Sequence, residues 1–281
     1  MTVLFGRSWE LQVDTLLLKG EYGKPALTIS FEVERTLKRA PNNASITIYN
    51  LSAEHRKRLQ DLGDAVLVRL SVGYRSDNFQ IFKGDLRDVR STRQGPDWVT
   101  TITSGDGERA IQRRRTSRSF APGAALEQVL KDVAGDLQVG LGNLVKGVSG
   151  AALEGTGSTR FHSGTTVSGN SARELDRLLR SAGYEWSVQD GEIQVLPRGQ
   201  ALKGQVVVIA PRTGLIGSPE PGTKGATVCT VLLQAGLVPG ARVQLESAYT
   251  SGLFRVERVT NKGETSGQVW YADLELKQPK K

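Results

Sequence analysis

The chain has 281 residues, with 37 Lys and Arg against 29 Asp and Glu, for a formal net charge of +8. Its 38% hydrophobic and 23% charged residues exclude a disordered chain, and 32 glycines favour a turn-rich β protein over a helical bundle. The longest wholly aliphatic runs, such as Val206–Ala210, are too short to span a bilayer, so no membrane anchoring is expected. Residues 1–20 lack a basic start and a small-residue cleavage site, so no secretory leader is expected. The single cysteine, Cys229, excludes an intramolecular disulfide and reads as a small buried hydrophobe in the run VCTVLL.

Residues 1–50 read as strands. Leu27, Ile29, Phe31 and Val33 alternate, as do Ala44, Ile46 and Ile48, with the Pro/Asn turn RAPNNAS between them. A short helix follows, capped by Ser52, with Leu59 and Leu62 on one face and Gly63 to end it in the left-handed conformation. Val66, Val68, Leu70, Val72 and Tyr74 alternate next, and then come FQIF and WVTTIT.

The middle of the chain is mixed. A helix over about Gly123–Leu137 carries the apolar stripe Leu126, Val129, Leu130, Val133 and Leu137. Residues 139–170 are rich in Gly, Ser and Thr without periodicity and read as an irregular connection. The capping box Ser171-x-x-Glu174 starts a second helix with Leu175, Leu178, Leu179 and Ala182 buried and Gly183 at its end. YEWSVQDGEIQVLP is a hairpin on Asp190-Gly191.

From Pro211 to Lys277 the chain is again β. Val243 and Leu245, then Phe254 and Val256, then Trp270, Ala272, Leu274 and Leu276 mark three strands. Pro239-Gly240 suits a type II turn, and Asn261 to Gly263 supplies a second break that tolerates positive φ. VRLSVGYRSDNFQI (68–81) aligns without a gap on VQLESAYTSGLFRV (243–256). That alignment matches Val68 with Val243, Leu70 with Leu245, Tyr74 with Tyr249, Ser76 with Ser251, Phe79 with Phe254 and Ile81 with Val256. After a shorter loop, Trp98 meets Trp270 and Ile102 meets Leu274. The fold expected is mainly β with a small α+β insert. A first antiparallel barrel or sandwich spans 1–106, the insert 107–205 and a second such domain 206–281.

Little of this is chemistry. His55 and His162 have no second His or Cys at metal-ligand spacing, so no metal is expected. Glycines cluster at 140, 142, 155 and 157, but no phosphate-binding glycine motif and no nucleophile elbow is present, so no cofactor is expected. The acid pairs Asp106/Glu108 and Asp190/Glu192 sit in ordinary turn sequences, and nothing argues for an enzyme. The local oddity is Arg109, Arg113, Arg114, Arg115 and Arg118 in one short segment. We read it as an interface for acidic side chains on a partner protein; a solvated loop and a phosphate-binding patch are the alternatives. Only Phe120 is near, which gives base stacking poor support.

Two stretches carry a family resemblance. One is ISFEVERTLKRAPNNASITIYNLSAEHRKRL; the other is TGLIGSPE followed by KGATVCTVLLQAGLVPGARVQLES and GLFRVERVTNKGETSGQVWYADLEL. Together with the helix and hairpin between them, they resemble the baseplate hub proteins of bacteriophage tails, which join the tail tube to the central spike. The resemblance implies two tail-tube-like β domains flanking a helix-and-hairpin domain. It implies a homotrimer whose six such domains make a pseudo-sixfold ring against a hexameric tube. The implied partners are the tail tube protein, the central spike protein, the tape-measure protein and baseplate wedge proteins, with DNA only as cargo through the lumen. The implied place is the virion baseplate, assembled in the host cytoplasm, and a contractile tail is the expectation. No further domain is expected after Lys281, which would leave spike and lytic activity to other chains. The arginine segment is expected to face a partner and not the lumen, because a cationic wall would slow DNA. The runner-up, drawn from charge, is a basic nucleic-acid-binding or packaging accessory protein; a tail-associated hydrolase is a third reading.

Overall fold

A computed structural model describes residues 4–63, 66–75, 77–148 and 158–280. Ser76 of the repeat and Gly155 and Gly157 of the Gly-rich connection lie outside these residues. The first elements are β1 (Arg7–Val13), β2 (Leu16–Gly20), β3 (Ile29–Thr36), β4 (Asn42–Tyr49), α1 (Ala53–Gln60), β5 (Leu67–Tyr74), β6 (Asp77–Gln94) and β7 (Asp97–Asp106). The middle holds α2 (Glu108–Arg113), β8 (Arg115–Phe120), α3 (Leu126–Gly135), α4 (Leu144–Gly147), β9 (Thr165–Asn170), α5 (Ser171–Arg180), β10 (Tyr184–Gln189) and β11 (Glu192–Pro197). The last are β12 (Val206–Ile209), β13 (Leu215–Pro221), β14 (Thr227–Leu232), β15 (Arg242–Glu246), β16 (Ser251–Glu264) and β17 (Trp270–Lys277). They divide into two compact units. One holds Met1–Thr36, Asn42–Asp106 and Lys203–Pro279; the other holds Leu37–Pro41, Gly107–Leu202 and Lys280–Lys281.

The first unit is one 13-stranded sheet, and its main path runs β13-β14-β17-β16-β3-β4-β7-β6-β5-β1-β2. Among the described residues that path stays open, so the barrel expected from the alternation is not closed. The reason lies in β16. Its first residues pair with β15, and from Arg258 onward the same edge pairs with β3, Val259 opposite Arg35 and Gly263 opposite Phe31. Each chain half thereby offers a strand to the other where a barrel would have closed on itself. One hydrophobic core serves both halves, with Trp9, Ile46, Leu70 and Ile102 in the same cluster as Val243, Leu245, Val259 and Leu274.

The strand order repeats. β3-β4-β7-β6-β5 in the first half has the same succession as β13-β14-β17-β16-β15 in the second. Both long strands also slip register once against the strand that follows them, at Arg87 in β6 and at Glu257 in β16. This locates the repeat more closely than the ungapped alignment. Val68 and Leu70 pair with Gly84 and Phe82, whereas Val243 and Leu245 pair with Phe254 and Gly252. Phe254 therefore stands where Gly84 does, and not where Phe79 does. Val256, opposite the same slip as Leu86, is its counterpart and not that of Ile81. The cause is the hairpin connection. β5 and β6 close at Tyr74–Asp77, while β15 and β16 close across Ser247–Thr250, which places Tyr249 in an exposed loop although Tyr74 is buried.

Local turn chemistry explains most boundaries. The Ser52 hydroxyl accepts the His55 N–H at 3.2 Å to cap α1. The helix ends at Asp61 in the right-handed region, however, so Gly63 is not its left-handed terminator. At Pro239-Gly240 the Ala241 N–H donates to the Val238 carbonyl at 3.0 Å and Gly240 has φ 88°, as a type II turn requires. Asn261–Gly263 makes no turn. These residues continue β16, where the Phe31 and Trp270 rings, edge to face at 5.3 Å, flank Gly263.

The second unit has its own core. The stripe Leu126, Val129, Leu130 and Val133 of α3, with Leu137 beyond it, packs with Leu175, Leu178 and Leu179 of α5 and with Trp186, Val188, Ile193 and Val195 of the β10–β11 hairpin. That hairpin turns on Asp190 (φ 57°) and Gly191 (φ 79°), both left-handed as a two-residue I′ turn demands. The cap of α5 is Asn170, whose side chain accepts the Arg173 N–H at 3.0 Å. Ser171 is the first helical residue and Glu174 pairs with Arg177, so the expected Ser171–Glu174 box does not form. Residues 139–170 are also less irregular than expected. They contain α4 and β9, and β9 pairs with β8 along Arg115–Phe120.

Candidate partner interface

The five clustered arginines fall on two successive elements. Arg109 and Arg113 lie on α2, a single short turn of helix that starts from Gly107 (φ 74°). Arg114 ends that helix in an extended conformation, and its carbonyl accepts the Ser171 N–H at 3.0 Å. Arg115 and Arg118 open β8. Arg113, Arg115 and Arg118 are exposed; Arg109 and Arg114 are half-buried.

Arg118 is committed within its own unit. Its Nε and Nη2 donate to the two oxygens of Asp136 at 2.9 and 2.6 Å, and Thr116 Oγ1 donates to the same carboxylate at 2.7 Å. The Arg118 hydrogen bond, aided by that of Thr116, holds the Asp136 carboxyl below its ordinary range against the opposing effect of burial. The same contact raises Arg118 further. This pair ties β8 to the end of α3.

Arg115 has a different setting. With Arg39 from the β3–β4 turn and Arg173 from the first turn of α5 it lines a cavity of about 580 Å³, together with Ile111, Gln112 and Asn170. Three arginines from three separate segments thus line one concavity. Spacing gives no sign of this. Arg39 and Arg173 lie far from Arg115 in sequence, and the β8–β9 pairing, with Arg115 opposite Asn170, brings the start of α5 to Arg115.

The outward face of the large sheet is polar and carries several ion pairs. Lys262 donates to Asp273 at 3.0 Å, a contact that raises the Lys262 pKa. Arg258 reaches Glu34 at 3.3 Å and Glu275 at 3.8 Å, and Arg90 reaches Asp88 at 2.6 Å. Ser30, Ser45, Thr47, Thr101 and Thr103 fill the same face with short hydroxyl side chains. Among the described residues no three His, Cys, Asp or Glu side chains are grouped to hold a metal ion. Cys229 is buried in β14, and burial pushes its thiol up to about 12.

A family model described as baseplate hub gp41 matches residues 13–253. No curated protein matches the chain by sequence. Among solved structures, the 43 kDa tail protein of prophage MuSo2 from Shewanella oneidensis is similar with a TM-score of 0.63 at 10% identity, over 97% of each chain. A tail protein from Neisseria meningitidis gives 0.63 at 10% identity, over 98% of this chain and 97% of that one. An E. coli component of the type VI secretion system, itself described as structurally similar to phage T4 tail proteins, gives 0.58 at 9% identity, over 96% of this chain and 77% of its own. These structures share the fold.

Proposed function

This chain belongs to the baseplate hub gp41 family and is a structural component of a phage tail baseplate, and from that premise we propose that three copies form a pseudo-sixfold ring joining the tail tube to the central spike. The observation that carries the proposal is the repeated strand order, β3-β4-β7-β6-β5 and β13-β14-β17-β16-β15, within one sheet. Two equivalent strand sets per chain become six in a trimer, the number needed to meet a hexameric tube. In this arrangement 1–106 and 206–281 each supply one tube-type unit, and 107–205 is the insert between them in sequence. The charge-paired, hydroxyl-rich sheet face suits the lumen, because Lys262, Arg258 and Arg90 are already neutralised by carboxylates and offer little to retain passing DNA. Tube protein would dock on one side of the ring, with spike and tape-measure proteins on the other side and within.

The test is the mass and shape of the particle formed with the tube protein. Native mass spectrometry should give a species with three 30.4 kDa chains, and negative-stain images should show a ring with a central hole and six lobes. A stable dimer or hexamer of this chain on the tube end would overturn the ring.

A further inference from the structure

We infer that the cavity formed by Arg39, Arg115 and Arg173 binds carboxylates of an acidic segment on a partner protein. Among the described residues no Asp or Glu lines this cavity, although three arginines do. Arg115 and Arg173 make no ion pair or hydrogen bond through their guanidinium groups to the described residues. Arg39 reaches Asp176 at 3.4 Å, but that carboxylate is shared with Arg180 at 3.0 Å. The cations facing the concavity therefore exceed the carboxylates that answer them. A planar guanidinium group matches a carboxylate with two parallel hydrogen bonds, and two or three converging groups select closely spaced acids. The volume, about 580 Å³, accommodates one or two side chains. Gln112 and Asn170 add neutral polar groups at its edge.

The setting favours protein over nucleic acid. Single strands bind along a basic track with aromatic platforms, and among the described residues no aromatic lines this cavity. Of the basic residues near it in sequence, Arg118 and Arg177 are already held by Asp136 and Glu174. The inference is independent of the ring, since it needs only residues of one chain.

A titration of the isotopically labelled full chain at low salt decides it, with a short polyglutamate peptide as probe and an oligothymidine of equal charge as comparison. Polyglutamate should saturably shift the amide signals of Arg39, Arg115, Asn170 and Arg173. Replacing Arg115→Ala and Arg173→Ala together should weaken that binding by about tenfold or more, whereas Arg90→Ala on the large sheet should leave it unchanged. Shifts elsewhere, no shifts, equal binding by the double variant, or stronger binding of oligothymidine at these residues would each overturn the inference. Should the double variant unfold, the shift map of the unaltered chain still decides.

Discussion

At the end of α3, Asp136 accepts from both Arg118 and Thr116, and those donors stabilise its charged form. Its folded-state pKa lies below the ordinary Asp value of 3.8. A depressed carboxylate pKa contributes stability that is complete above the unfolded value and is lost as pH falls through the folded one. Asp136→Asn should therefore lower the melting temperature at neutral pH by a few degrees. The deficit should narrow below pH 3.8, where the wild-type protein loses the same contribution. The pair is partly exposed, with 43% of the Arg118 side chain and 21% of the Asp136 side chain accessible, and screening keeps the effect modest. Thermal melts of both proteins across the acid range check this, and a constant difference at every pH would refute it. The assignment also changes the view of the arginine segment. Arg118 is a structural residue, while Arg115 in the same strand faces a cavity with two arginines that no local motif connects to it.

Among elements, β16 joins what the sequence presents as separate halves. Its alternation is visible in Phe254 and Val256, but its partner across the edge is β3, more than two hundred residues earlier, and no local pattern encodes that choice. Alternation and helical stripes made β3, β4, β5, β6, β7, β15, β16, β17, α3, α5 and the Asp190-Gly191 hairpin legible, because each buries one periodic face, whereas β1, β2 and β12 to β14 were not individually marked. β9 was not legible, since TTVSGN offers only Val167 to a core. Asn261–Gly263 misled for a related reason: glycine serves turns, yet here it makes room between rings. A Cβ on Gly263 would lie 2.3 Å from the Phe31 ring and 2.8 Å from that of Trp270, on the two strands that flank it. Gly263→Ala should therefore destabilise the protein by about 1–3 kcal/mol through forced repacking of the aromatic pair. Denaturant unfolding followed by tryptophan emission measures this. An unchanged or raised midpoint would show that the rings move aside freely and do not fix the β3–β16 junction.

For the whole molecule, the shared sheet predicts that the first 106 residues do not fold as a domain on their own. In a fragment 1–106, β3 would keep β4 but lose β16, exposing an eight-residue edge whose Ile29, Phe31 and Val33 are buried in the intact protein. Their core neighbours Val259, Trp270 and Leu274 would be missing as well. An unpaired, flat apolar edge is a template for association, and the entropy of ordering the chain would be offset by only part of the core. The fragment is expected to aggregate or to lack a cooperative thermal transition, while the intact chain unfolds cooperatively. Circular dichroism melts with sedimentation at several concentrations test this. A soluble monomeric fragment that melts cooperatively near the temperature of the intact chain would mean that each half carries its own complete sheet. The ring would then be built from six free-standing units. The shared sheet argues for three welded pairs, in which the two units of one chain keep a fixed register because β3 and β16 are hydrogen-bonded from Arg258 to Glu264.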